Sequence, residues 1–186
     1  MSEQAMRGCL ARRRFVLSLA TPLALGLTGL TPREAEAAIQ ERSVALHHVH
    51  TGESLKTVYF TDGRYQPEAL LAATHHLRDW RDSTTRPIDP KLLDLLWSLR
   101  RTLHTTDPIQ VFCGYRSPQT NAMLRRTHHG AARHSLHMQA MAVDLRVPSR
   151  PLRSVRRAAM ALNAGGVGYY PRSGFVHVDT GDIRYW

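Results

Sequence analysis

Three side chains in the last third of the chain are of types that bind metal: His137 and Asp144 in SLHMQAMAVDL, and His177 in GFVHVDTG. Two imidazoles and a carboxylate around an open fourth position make a hydrolytic zinc centre, because that position admits water or a substrate carbonyl. His137 is placed in a loop or strand end, and Asp144 in the apolar strand AVDLRV, with Val143 and Leu145 turned to the opposite face. A buried acid there is costly without a partner. A metal ion and a salt bridge to one of the many arginines offset that cost equally well. In FVHVDT, period two puts Phe175, His177 and Asp179 on one face and Val176 and Val178 on the other. The polar pair is either the wet face of an exposed strand or part of a site. Gly165-Gly166 and Tyr169-Tyr170 beside it favour a compact, aromatic-lined groove. Arg116 follows a strand in CGYRSPQTNAML, where loops carry functional groups on a rigid scaffold. There it would bind a substrate carboxylate or stabilise an oxyanion, or else pack on the next helix or pair with Asp144.

These residues need elements to hold them. SVALHHVHTGESLKTVYF reads as a hairpin turning at His50-Thr51-Gly52-Glu53. Pro67 opens a helix running to about Trp80, with Leu70, Leu71, Leu77 and Trp80 on its apolar stripe. Asp89 as N-cap and Pro90 in the first turn start a helix whose leucines, from Leu92 to Leu99, make it central. A short strand spans Ile109 to Cys113, with Cys113 read as a buried small hydrophobe. A helix from Ser117-Pro118 to about Thr127 is stopped by His128-His129-Gly130. A strand (Ala142 to Val147), a helix (Leu152 to Asn163) and a second hairpin around Pro171-Arg172-Ser173-Gly174 complete the chain. The sum is an α+β domain, a small, mainly antiparallel sheet with helices packed against it. His47, His48, His50, His75, His76, His128 and His129 are expected at the surface, and His134 near the cleft.

The 186 residues carry 25 Lys+Arg against 15 Asp+Glu, a net charge of +10. Nearly all of the positive charge is arginine, spread along the chain, which is either a solvated surface or a surface for an anionic partner such as a wall polymer. No repeat or low-complexity tract is present. Arg12-Arg13-Arg14-Phe15-Val16, an interrupted apolar run to Leu30, and Ala35-Glu36-Ala37-Ala38 describe an export signal over 1–37, with a single mature domain over 38–186. The arginine pair resembles the twin-arginine signal, which makes the protein periplasmic. The apolar run is too short and broken for a membrane span, so no stable membrane insertion is expected after the signal is removed. Removal also takes away Cys9, leaving Cys113 without an internal disulfide partner. The export signal and the lack of a basic–aromatic stripe argue against nucleic acid as a partner. The protein is expected to be a monomer.

GYRSPQTNAMLRR, SLHMQAMAVDLRV and GGVGYYPRSGFVHVDTGDIRYW together resemble the murein endopeptidase K type of bacterial zinc peptidase, within the wider D,D-peptidase/hedgehog fold group. The resemblance runs from about Ser43 to Trp186 and includes HTGESL and DPKLLDLLW. It implies Zn²⁺ bound by His137, Asp144 and His177 with water as fourth ligand. It implies hydrolysis of peptidoglycan cross-links, D,D or L,D, involving meso-diaminopimelate, and it implies that Arg116 orients the substrate carbonyl. Two positions depart from the family pattern. Ala140 stands where the pattern has glycine, so a left-handed backbone there would be strained. Gly174 stands where distant relatives place the acidic base, which leaves Asp179 as the candidate acid/base or an orienter of His177. The rival readings are a stem-peptide carboxypeptidase and a non-catalytic wall-binding protein with a structural metal.

Overall fold

The computed structural model describes residues 41–127 and 131–186; the export segment and the His128-His129-Gly130 stop lie outside the described residues. The strands are β1 (Arg42–His48), β2 (Ser54–Thr61), β3 (Arg64–Tyr65), β4 (Ile109–Cys113), β5 (Ala142–Arg146), β6 (Gly166–Tyr170), β7 (Phe175–Asp179) and β8 (Arg184–Tyr185). The helices are α1 (Pro67–His76), α2 (Pro90–Thr102), α3 (Pro118–Thr127) and α4 (Leu152–Ala161), with a 3₁₀ turn at Leu136–Gln139. The strands form one sheet in the order β3-β2-β1-β4-β5-β7-β6-β8. β1–β4 and β6–β8 pair parallel and every other neighbour pairs antiparallel. The expected α+β class with a mainly antiparallel sheet is what forms.

One face of the sheet holds the core. Asp89 caps α2 by accepting from the Lys91 amide at 3.0 Å, and Pro90 supplies the pre-set first turn. Leu92, Leu93, Leu95, Leu96 and Leu99 are then buried. α2 packs on β1 and against α4, while α4 covers β6 and β7 and α1 covers β2. Facing them, Val44, Leu46, Ile109, Val111, Val143, Leu145, Val176 and Val178 all lie at 1 % exposure or less. Truncating any one of them to alanine costs about 1–4 kcal/mol.

Two expectations are corrected. α1 stops at His76 rather than Trp80. The Leu77 carbonyl accepts from the Tyr115 amide at 2.7 Å, and the buried Asp79 carboxylate accepts from the Arg81 and Ser117 amides. Backbone groups that would have continued the helix are thereby spent on the β4–α3 loop. His48 and His76 are buried, not at the surface, their rings edge-on at 6.2 Å between centroids. Cys113 is buried, as expected, and also reaches the site. A bulge between Val111 and Cys113 puts Val111 opposite Leu145 and Cys113 opposite Asp144, so Cys113 turns to the site face. β3 and β8, two residues each and too short to show a period, were not anticipated.

Candidate metal centre

His137 sits on the 3₁₀ turn, capped by the Ser135 hydroxyl. The turn is stitched to the β4–α3 loop twice: the Arg116 amide donates to the His137 carbonyl at 3.1 Å, and His137 Nδ1 donates to the Gly114 carbonyl at 2.7 Å. In the neutral ring that second bond leaves Nε2 as the lone-pair nitrogen. Asp144 lies in β5 directly opposite His177 of β7, the sheet register bringing them together. His137 Nε2, His177 Nδ1 and Asp144 Oδ1 make a triangle with edges of 3.2, 2.9 and 3.3 Å. All three residues are at least nine-tenths buried. Donors about 2.0–2.2 Å from one tetrahedral ion lie roughly 3.3–3.5 Å apart, so two edges of this N,N,O set are near that spacing and the third is shorter, and its donor types could hold a metal ion. Cys113 Sγ adds a soft donor on the same wall, with ligand atoms of Cys113, His137 and Asp144 within 4.8 Å of one another.

The electrostatics favour a cation there. Burial disfavours the Asp144 carboxylate, yet His137 and His177 hold it well below the usual carboxylate range. Burial likewise opposes charge on His137, but Asp144 and Cys113 raise it to about 10. The interior presents net negative charge to whatever positive group the triangle holds.

Asp179 stands behind the triangle. It is fully buried and does not line the cavity. Its Oδ2 accepts from His177 Nε2 at 3.0 Å and Arg184 Nη2 at 2.7 Å; its Oδ1 accepts from the Gly166 and Gly181 amides and from Arg184 Nη1. Against its burial, the hydrogen bonds from His177 and the two amides lower it to about 2. No oxygen is left for a proton coming from the cavity. Gly165 and Gly166 make this cradle possible: a β-carbon at Gly165, which has φ +155°, would collide with the Asp179 carbonyl, and one at Gly166 would lie 2.5 Å from Oδ2. Trp186 closes the far side, its ring 5.3 Å from His177 and its indole N–H on the Tyr170 hydroxyl at 2.7 Å.

Ala140, the C-cap of the 3₁₀ turn, has φ 56° and ψ 34°. Its amide bonds the His137 carbonyl and its carbonyl accepts from Asp89, so the left-handed residue sets the direction of the ligand turn. Arg116 donates to Asn121 Oδ1 at 3.3 Å and to Cys113 Sγ at 3.5 Å, and its Nη2 lies 3.9 Å from Asp144 Oδ2. A cavity of about 520 Å³ opens in front of the triangle. Arg116 and His134 line it as expected, with Phe112, Tyr170 and Phe175 as its aromatic wall; His50, Arg81 and Arg184 line it without having been anticipated. No local signal marks either His50 or Arg81 as a site residue: His50 lies in the β1–β2 turn, and Arg81 in the loop after α1.

A family profile described as Peptidoglycan L,D-endopeptidase MepK matches residues 36–186. This chain belongs to that family. It is 41 % identical over 179 residues to the Peptidoglycan L,D-endopeptidase MepK of Escherichia coli (strain K12), covering 95 % of this chain and 97 % of the relative. The Shigella flexneri protein of the same name shows the same identity and coverage. The Probable peptidoglycan L,D-endopeptidase MepK of Haemophilus influenzae is 36 % identical over 168 residues, 88 % of this chain and 90 % of the relative. The MepK-type murein endopeptidase resemblance read from the motifs is therefore the right family.

Proposed function

We propose that the chain is a zinc-dependent peptidoglycan endopeptidase that hydrolyses L,D peptide cross-links. The carrying observation is the buried His137–Asp144–His177 triangle on the wall of an open cavity. The relatives' names, peptidoglycan L,D-endopeptidase, support peptidoglycan as the substrate and the choice of the L,D bond.

A zinc ion held by those three residues would supply Lewis acidity, bringing the pKa of water toward neutrality and polarising the scissile carbonyl. The protein's own groups do the rest. Gly114 and Asp179 fix the two imidazoles so that His137 Nε2 and His177 Nδ1 face the same point. Arg116, held by Asn121, presents its guanidinium to the cavity, where negative charge develops on the carbonyl oxygen. Asp179 acts as the orienter of His177 rather than as the acid/base. Residues 1–37 direct twin-arginine export to the periplasm, where a monomer acts on the wall. Among the described residues no helix is long and apolar enough to cross a membrane.

The test is direct. The purified chain is analysed for metal and incubated with L,D- and D,D-cross-linked muropeptides, with and without chelator. One zinc per chain and chelator-sensitive cleavage of the L,D dimer are expected. Zinc without new amines would sink the enzymatic reading, and cleavage of the D,D dimer alone would sink the L,D assignment.

A further inference from the structure

Among the described residues, the cavity in front of the triangle is lined by three arginines, Arg81, Arg116 and Arg184, and a single carboxylate, Asp144. Two of these arginines are committed. Arg184 is bidentate on Asp179, and Arg116 is held by Asn121 and Cys113 beside Asp144. Arg81 makes no ion pair among the described residues. It is not loose, however. Its guanidinium lies 4.3 Å over the Trp80 ring, and Trp80 stacks on His50 at 4.3 Å and 19°. Cation–π contact holds a guanidinium without consuming its N–H donors.

Its backbone is pinned as well. The fully buried Asp79 carboxylate accepts from the Arg81 amide at 3.1 Å and, through its other oxygen, from the Ser117 amide at 2.9 Å. Ser117 follows Arg116 in the chain, and its hydroxyl bonds Asp82 at 2.6 Å. One buried carboxylate and one hydroxyl thus lock the Arg81 turn to the Arg116 turn, fixing the two cations relative to each other.

We infer that Arg81 is the substrate-carboxylate receptor of the site: it binds the free carboxylate on the amine side of the scissile amide while Arg116 takes the carbonyl oxygen. The inference rests on the endopeptidase reading, because an L,D cross-link joins an L-centre carbonyl to the nitrogen of a D-centre bearing its own carboxyl group. That carboxylate lies within two bonds of the scissile nitrogen, so it must enter the cavity with the bond to be cut. Asp144 cannot pair with it, and an unpaired planar guanidinium fits it with two parallel hydrogen bonds.

The experiment uses the full zinc-loaded chain and two L,D-cross-linked dimers, one with this carboxylate free and one with it amidated. Wild type, R81A and R81K are compared by kcat/KM on both. A non-hydrolysable methyleneamine analogue, free or amidated, is titrated into each protein by calorimetry. Wild type is expected to prefer the free acid roughly 10- to 100-fold in both measurements. R81A brings the ratio to about one, with the loss mainly in KM, and R81K keeps part of it. A wild-type protein that cleaves both dimers equally, or an R81A that retains the full preference, overturns the inference and leaves the endopeptidase standing. If neither dimer is cleaved but the analogue binds with an Arg81-dependent preference for the free acid, the receptor stands and the endopeptidase falls. An analogue that binds equally well in both forms overturns the receptor whatever the cleavage result.

Discussion

His177 depends on two acids with different tasks, Asp144 beside the same cation position and Asp179 behind the ring. Converting His177 to Ala removes a proposed ligand and should abolish zinc retention and cleavage together, read by metal analysis and muropeptide digestion. Asp179→Asn separates orienting from proton transfer. As an orienter it should weaken zinc affinity about 10- to 100-fold, with activity recovering in excess zinc. Unchanged affinity with a persistent drop in kcat would restore Asp179 to the acid/base role. Alternation in FVHVDT was enough to put His177 and Asp179 on one face, but not to show that Arg184 and two amides saturate the carboxylate. At Ala140 the missing family glycine proved readable: the residue is left-handed, at φ 56°. Ala140→Gly should raise stability by up to about 1 kcal/mol, the methyl burial lost offsetting part of the strain relieved. Chemical denaturation of the two proteins checks it.

At the level of elements, the ligand turn, the α2 cap and the end of β7 form one joint. Asp89 caps α2 and also accepts from the Thr180 hydroxyl at 2.8 Å, while its amide donates to the Ala140 carbonyl. Asp89→Ala should therefore cost about 1–2 kcal/mol, the upper part of the range for a cap, because a second bond is lost with it. On a domain of this size that is a fall of roughly 2–8 °C in Tm, measurable by calorimetry. The cap was legible from Asp-Pro before a leucine-rich stretch. Its partner Thr180 was not, because nothing local joins positions 91 residues apart. The same limit explains Cys113. Its place at the end of an apolar run was enough to read it as buried, which it is, but only pairing with β5 creates the bulge that brings it to the site.

For the molecule as a whole, acid stability should be governed in part by the buried imidazoles His48 and His76. Burial, followed for His48 by the charge of His76, lowers His48 to about 4, and burial lowers His76 to about 4. In the unfolded chain both titrate near 6.5. Between pH 6.5 and 4 the unfolded state takes up protons that the folded state refuses, so stability is fully present above 6.5 and falls as the pH drops toward 4. The loss is on the order of a few kcal/mol for the pair, and should appear as a Tm that declines through this window, less steeply in His76→Gln.

What the amino-acid order determined by itself is local in origin. The leucine face of α2, the capping signals, the two hairpins and the alternation that puts metal-ligating types on one side of β5 and β7 all follow from side-chain period and turn chemistry. The motif resemblance reached the family for a related reason, since the candidate ligand residues sit in short, distinctive segments. Only the tertiary structure decided that His137, 40 residues from His177, closes the triangle, that Asp179 faces away from the cavity, and that Arg81 faces into it. Those outcomes depend on sheet order, on a one-residue bulge and on a helix that ends four residues early. Each is set by long-range hydrogen bonds whose free energy exceeds the local preference and leaves no trace in the neighbouring residues.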